Sequence, residues 1–177
     1  MNLFFRLLHI LLFSKFRSKV DVLQECATPF RVWPTDLDVL RHMNNGVYLS
    51  LQDLARVDYM IRAGAAEVIE KNGWYPVVAS ETIRFRRSLK LFQSFELCTR
   101  LLSWDEKYLY LEHKFVSKGE VIALGMIRAR FLSKKGGLVA PQDLLKALNL
   151  QLSAPSFPEH LESWISADVN HSKSLGL

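Results

Sequence analysis

Residues 35–63 read TDLDVLRHMNNGVYLSLQDLARVDYMIRA, and a change of texture inside that run decides the fold. Its first part, Thr35-Asp36-Leu37-Asp38-Val39-Leu40-Arg41-His42-Met43-Asn44-Asn45, keeps no steady period. It is rich in Asp and Asn, which make turns by bonding to their own backbone. From about Gly46 to Ala63 the apolar positions Val47, Leu51, Leu54, Ala55, Tyr59 and Ile61 recur with the period of a helix, and Asn44 or Asn45 is a natural N-cap. A polar turn therefore feeds directly into a long helix with one apolar face. That face needs a layer to bury against.

Working outward, residues 27–35, ATPFRVWPT, read as a strand closed by Pro34. A second short helix over about 65–71 stops at Asn72-Gly73. The period then changes to that of strands, at 74–80, 81–89, 92–104, 107–117 and 121–133, with hairpin-type breaks at 116–120 and 133–137. Residues 141–148 read as a short closing helix. The order of strand, long helix, then four or five antiparallel strands predicts an α+β domain, with a curled antiparallel sheet of five to six strands wrapped around the long helix.

The length of 177 residues suits one domain, and 49% apolar with 23% charged residues is the balance of a globular protein, which excludes disorder for the body of the chain. Residues 1–26 form an amphipathic helix and linker, 27–150 the domain, and 151–177 a Ser- and Pro-rich tail expected to be loosely held. The two cysteines, Cys26 and Cys98, show neither CxxC nor metal-ligand spacing. They read as buried thiols in a reducing compartment, with no metal and a cytoplasmic location expected. The net charge of +5 is concentrated at 6–19, 84–90 and 128–135. None of these carries a nucleic-acid signature, so nucleic acid is not an expected partner, whereas cations at strand ends suit small phosphorylated ligands. A glycine-rich phosphate loop and a GxSxG elbow are both missing, which removes nucleotide kinases and α/β-hydrolases.

The N-terminal run MNLFFRLLHILLF is interrupted by Arg6 and His9 and is shorter than the roughly 20 apolar residues of a spanning helix. No small-residue cleavage site follows, so a cleaved signal is not expected. Two readings stay open. Residues 1–19 make peripheral contact with the anionic inner face of a membrane, or they pack on the domain or a partner subunit.

A carboxylate just ahead of a helix start is well placed for acyl transfer. It can act as nucleophile or as general base, while the unpaired N–H groups and dipole of the helix end stabilise an oxyanion. The pattern Asp36-x-Asp38, His42-x-Asn44-Asn45, Tyr48-Leu49 and Ala55-Arg56 resembles the 4-hydroxybenzoyl-CoA thioesterase-like branch of the hotdog superfamily, over roughly residues 27–135. That resemblance implies a hotdog fold hydrolysing an acyl-CoA to the acid and free CoA, without metal or cofactor, since coenzyme A belongs to the substrate. It also implies a homodimer or tetramer with sites between subunits. Asp38 aligns with the catalytic aspartate, and the Asn45 amide with the donor to the thioester carbonyl. His42 either positions water or the thioester or is a loop histidine satisfied by backbone. Asp36 is read as a turn former and Asn44 as a cap.

Tyr48, Leu51 and Phe85 are the candidates for the acyl chain. Arg84, Arg86 and Arg87, with Arg128, Arg130, Lys134 and Lys135 behind them, are candidates for the phosphates. Glu81 is expected in a cross-strand ion pair and Asp53 in a helix-surface pair with Arg56. Leu40 stands where the similar plant acyl-carrier-protein thioesterases have a functional asparagine, which shifts weight to Asp38. The rival readings are a hotdog dehydratase and a non-catalytic acyl-thioester-binding, membrane-associated module. Release of free CoA, against hydration of an enoyl-CoA or neither, separates the three.

Overall fold

The computed structural model describes residues 2–174 and 176. In chain order its elements are α1 (Asn2–Phe13), β1 (Cys26–Arg31), α2 (Asn45–Arg62), α3 (Ala65–Lys71), β2 (Trp74–Phe85), β3 (Ser94–Trp104), β4 (Leu109–Ser117), β5 (Glu120–Ser133), β6 (Leu138–Val139), α4 (Pro141–Ala147) and α5 (Glu159–Ser174). The strands form one antiparallel sheet in the order β1-β3-β4-β5-β2, with β6 paired to β5. The α+β curled sheet around a long helix is therefore present. Irregularities at Val78/Ser80, Leu101/Ser103 and Phe115/Val116 supply the bend. The first explains why 74–80 and 81–89 look like two strands in the sequence: they belong to a single strand, β2, whose alternation slips at the bulge.

Helix α2 lies in the concave face. Its Tyr48, Leu51, Leu54 and Ala55 pack against Leu97, Phe115, Ile122 and Ala123 of β3, β4 and β5. Each large apolar side chain buried there contributes roughly 1.5–3 kcal/mol. The sheet makes room for the helix at Gly125, where a Cβ would stand 2.6 Å from Gln52 Nε2.

The convex face is also covered, which the sequence reading did not foresee. The segment expected to be a loose tail ends in α5, where Leu161 is fully buried and Trp164 and Ile165 pack with it against Leu102 and Tyr110. Asp168 of α5 binds Arg128 at 2.9 Å and accepts from Ser80 Oγ at 2.7 Å. The cover also accounts for runs of consecutive buried residues on β4. Leu161, Trp164, Ile165 and Asp168 keep helical spacing, but the Ser and Pro residues before them mask it.

Helix α1 is fastened to the domain from inside. Ile10 joins the core, Arg6 binds Asp36 at 2.6 Å, and Arg17, just beyond the helix, binds Asp58 at 2.7 Å. Its other side leaves Phe4, Phe5, Leu8, Leu11, Leu12 and Phe13 exposed, with Phe16 and Lys15 next in line. Among the described residues no helix is long and apolar enough to cross a membrane.

Candidate active site

The segment between β1 and α2 folds as two linked turns. Pro34–Asp36 is a single 3-10 turn closed by Asp36 Oδ2, which accepts the Trp33 N–H at 2.8 Å, and the Asp36 carbonyl accepts the Asn44 N–H at 2.8 Å. Asp36 is thus a buried structural carboxylate held by Arg6 of α1. Asp38 opens the second turn: the Arg41 N–H reaches its carbonyl at 3.0 Å, and Arg41 takes a positive φ of 59°. This left-handed conformation costs a non-glycine residue on the order of 1 kcal/mol, and the strain sits beside the candidate chemistry.

The Asp38 side chain is half-buried. Its Oδ1 accepts the N–H groups of Leu40 at 2.8 Å and His42 at 3.2 Å, and Oδ2 accepts no hydrogen bond from the described residues. One oxygen is fixed, then, and the other is left for chemistry. At the start of α2, Asn44 Oδ1 takes the Gly46 N–H at 2.8 Å and the Asn44 carbonyl takes the Val47 N–H at 2.9 Å. Among the described residues no acceptor takes the N–H of exposed Asn45, which leaves it as a donor at the positive end of the helix dipole. The ring of His42 has no hydrogen-bond partner among the described residues.

Other candidates divide. Tyr48 and Leu51 are core residues: Tyr48 lies between Phe85 and Phe115, at ring separations of 5.0 and 4.9 Å, and its hydroxyl receives the Leu89 N–H. Phe85 is partly exposed at the end of β2 and meets Tyr48, whereas its neighbours Arg84 and Arg86 alternate to the other face of the strand end. Both are exposed, while Arg87 pairs with Glu120. Arg128 instead faces α5 on the convex side, stacked over Tyr108. Asp53 pairs with Arg56 as expected. Among the described residues Glu81 has no ion-pair partner, although its charge reaches Arg56. Among the described residues no three His, Cys, Asp or Glu side chains converge on a metal position. Burial pushes the Cys26 and Cys98 thiols up, to about 11 and about 12, which disfavours the nucleophilic thiolate at both.

Two features escaped the sequence reading. Beneath α2 the fully buried His113 meets Thr99 Oγ1 through Nδ1 at 3.0 Å and Arg56 Nη1 through Nε2 at 3.4 Å. Because guanidinium only donates, Nε2 is the acceptor and Nδ1 carries the proton. Gln52 is buried nearby, over Gly125, and neither its Oε1 nor its Nε2 has a hydrogen-bond partner among the described residues. The signal was available: on β4, His113 interrupts the inward row Leu111, His113, Phe115. Burial, and then Arg56, hold the His113 pKa well below its ordinary value. The unfolded chain therefore takes up a proton as pH falls below about 6.5 while the folded chain does not. Stability should be full above that pH and decline below it, and His113→Gln should flatten the slope of melting temperature between pH 7.5 and 5. An unchanged slope removes this assignment.

The second feature is an apolar cavity of about 230 Å³ between α2, α3, α4 and the sheet, with Asp53 and Arg56 as its charged residues. It does not reach the Asp38 loop.

A profile of the thioesterase-like superfamily matches residues 32–165. The chain belongs to that superfamily. Protein THEM6 of Danio rerio is 39% identical over 165 residues, 92% of this chain and 80% of the relative. Protein THEM6 of Xenopus laevis is 37% identical over 157 residues, 88% of this chain and 74% of the relative. YbaW, a probable thioesterase of Escherichia coli, superposes with a TM-score of 0.64 at 24% identity, covering 69% of this chain and 95% of that one. This last likeness concerns the fold, and the fold is the hotdog. The superfamily places the chain among thioester hydrolases.

Proposed function

We propose that this thioesterase-superfamily member hydrolyses acyl-CoA thioesters, with Asp38 acting on the carbonyl carbon or on water. The observation that carries the reading is that the described residues engage neither one Asp38 oxygen nor the Asn45 N–H that opens α2. The thioester oxygen accepts the Asn45 N–H, which stabilises the negative charge that develops there. Asp38 Oδ2 either attacks the carbonyl carbon, giving a mixed anhydride that water opens, or takes a proton from attacking water. In both routes the C–S bond breaks, the thiolate of CoA leaves and is protonated, and the acid is released. Arg84 and Arg86, exposed at the end of β2, carry the charge that suits the phosphates of CoA.

The direct test is a panel of acyl-CoA substrates with a thiol-detecting dye. Release of CoA is the expected result; none at any chain length removes the reading, and hydration of an enoyl-CoA in the same panel would favour a dehydratase. We further propose a homodimer. The outer edge of β2 carries unpaired backbone groups over 12 residues beside exposed Tyr75, Val78 and Phe85, an edge that a partner strand covers. Light scattering at the monomer mass would remove that part.

The exposed apolar side of α1 together with Lys15 and Lys19 supports contact with an anionic bilayer. Deleting residues 1–19 is the wrong test, because it also removes Arg6 and Arg17 from Asp36 and Asp58. The variant Leu8→Glu/Leu12→Glu leaves both ion pairs in place. It is expected to abolish flotation with phosphatidylserine vesicles while wild type floats; equal behaviour of the two removes the membrane contact.

A further inference from the structure

We infer that the apolar cavity holds the distal part of a long, unbranched alkyl chain, the tail of the acyl group whose thioester is cleaved at Asn45. This rests on the acyl-CoA reading above. The cavity runs from the exposed Pro76 and Val78 of β2 to the buried Trp104 and Leu145, and beyond Asp53 and Arg56 its lining is hydrocarbon and aromatic. Those two charges form an ion pair with each other, so an entering chain displaces no unpaired charge. A dry apolar cavity of about 150 Å³ accepts a benzene-sized guest. By proportion, 230 Å³ accommodates about nine carbon atoms, more than one ring supplies.

Polar aromatic acyl groups fit poorly. The Tyr59 hydroxyl is engaged by the Val22 carbonyl, and among the described residues of the buried wall the Trp104 indole N–H is the only side-chain polar atom without a partner. A hydroxylated ring would lose its water without regaining its hydrogen bonds. Position along the helix sets a length requirement as well. Asp53 lies eight residues after Asn45 on α2 (53 minus 45), about 12 Å at the helical rise. Within one subunit, an acyl group must span that distance before any of it enters the cavity, and only a long chain does both.

Two variants of the full-length chain fill the cavity from different walls: Ala129→Leu on β5 and Leu148→Trp at the end of α4. Release of CoA is followed from hexanoyl-, hexadecanoyl- and 4-hydroxybenzoyl-CoA, and binding of the fluorescent fatty acid cis-parinaric acid is titrated separately. Wild type should prefer hexadecanoyl-CoA, and each variant should lower its kcat/KM by about tenfold, the loss of burial of about two methylenes, with a far smaller change on hexanoyl-CoA. Affinity for cis-parinaric acid should fall in parallel. A chain-length profile that both folded variants leave unchanged overturns the inference, as does preference for 4-hydroxybenzoyl-CoA. Should wild type cleave no thioester, the hydrolase reading fails by itself and the probe decides the cavity. Saturable binding weakened by the variants then upholds it, and absence of binding to wild type overturns it. Melting temperatures identify a variant that has not folded.

Discussion

Asp38→Asn is expected to lower kcat by about 10²–10⁴-fold, the range for removing a positioned base or nucleophile, while leaving the melting temperature nearly unchanged. The substitution separates two roles that Asp38 plays at once. Its Oδ1 ties the turn by accepting from Leu40 and His42, which an asparagine Oδ1 does equally well. Its Oδ2 carries negative charge that no described residue engages, which asparagine cannot supply. A residue that only formed the turn would tolerate the change in both assays. Asp36→Asn should show the opposite signature, because Asp36 is buried against Arg6 and caps the turn through the Trp33 N–H. It should lose stability first, and activity only as the turn loosens. Activity retained in Asp38→Asn, measured by CoA release beside a thermal melt, would refute the catalytic assignment.

The largest stability effect is expected at Asp58. This carboxylate is fully buried on the inner side of α2, where its Oδ2 accepts from Arg17 at 2.7 Å and Thr28 Oγ1 at 2.7 Å, with Arg62 at 3.6 Å and the Cys26 thiol at 3.8 Å. Replacing it with alanine leaves Arg17 and Arg62 facing each other in a buried site. Removing one member of a buried ion pair costs roughly 3–5 kcal/mol, or roughly 10 °C in melting temperature for a chain of this size. Arg17→Ala should cost less, since Arg17 is one-third exposed and Arg62 remains to balance the charge. The double variant should be less unstable than the two single losses added together. Strict additivity would show that the pair is not coupled, and that α1 and its linker are held by apolar contacts alone.

The elements that were legible in the sequence are those whose signal is local. The period of Val47, Leu51, Leu54 and Ala55 marks α2, Asn44 marks its start, and the spacing of Asp38 to Asn45 marks the loop that the structure folds into two turns ahead of the helix. Short-range geometry suffices for these, because turn bonds and helix caps involve residues a few positions apart. Tyr48 and Leu51 show the limit. They lie on the face of α2 that meets the sheet, so they fill the core, whereas Asp53 and Arg56 on a neighbouring face line the cavity. Periodicity identifies an apolar face without telling which part of it is packed and which stands over a void.

Other features depend on contacts between segments far apart in the chain. Asp58 and His113 are ionisable residues in apolar patterns, and their meaning comes from Arg17, Thr28, Thr99 and Arg56, brought together only by the closed sheet. Helix α5 has too weak an apolar stripe to declare itself, and becomes a layer because the convex face of β3–β5 offers Leu102 and Tyr110 to bury. The Asp36–Asn45 segment and the helix it opens are thus written in the sequence, because hydrogen bonds between near neighbours dictate them. Which of its two aspartates is free is a tertiary result: Arg6, arriving from α1, engages Asp36, and no described residue takes the remaining oxygen of Asp38.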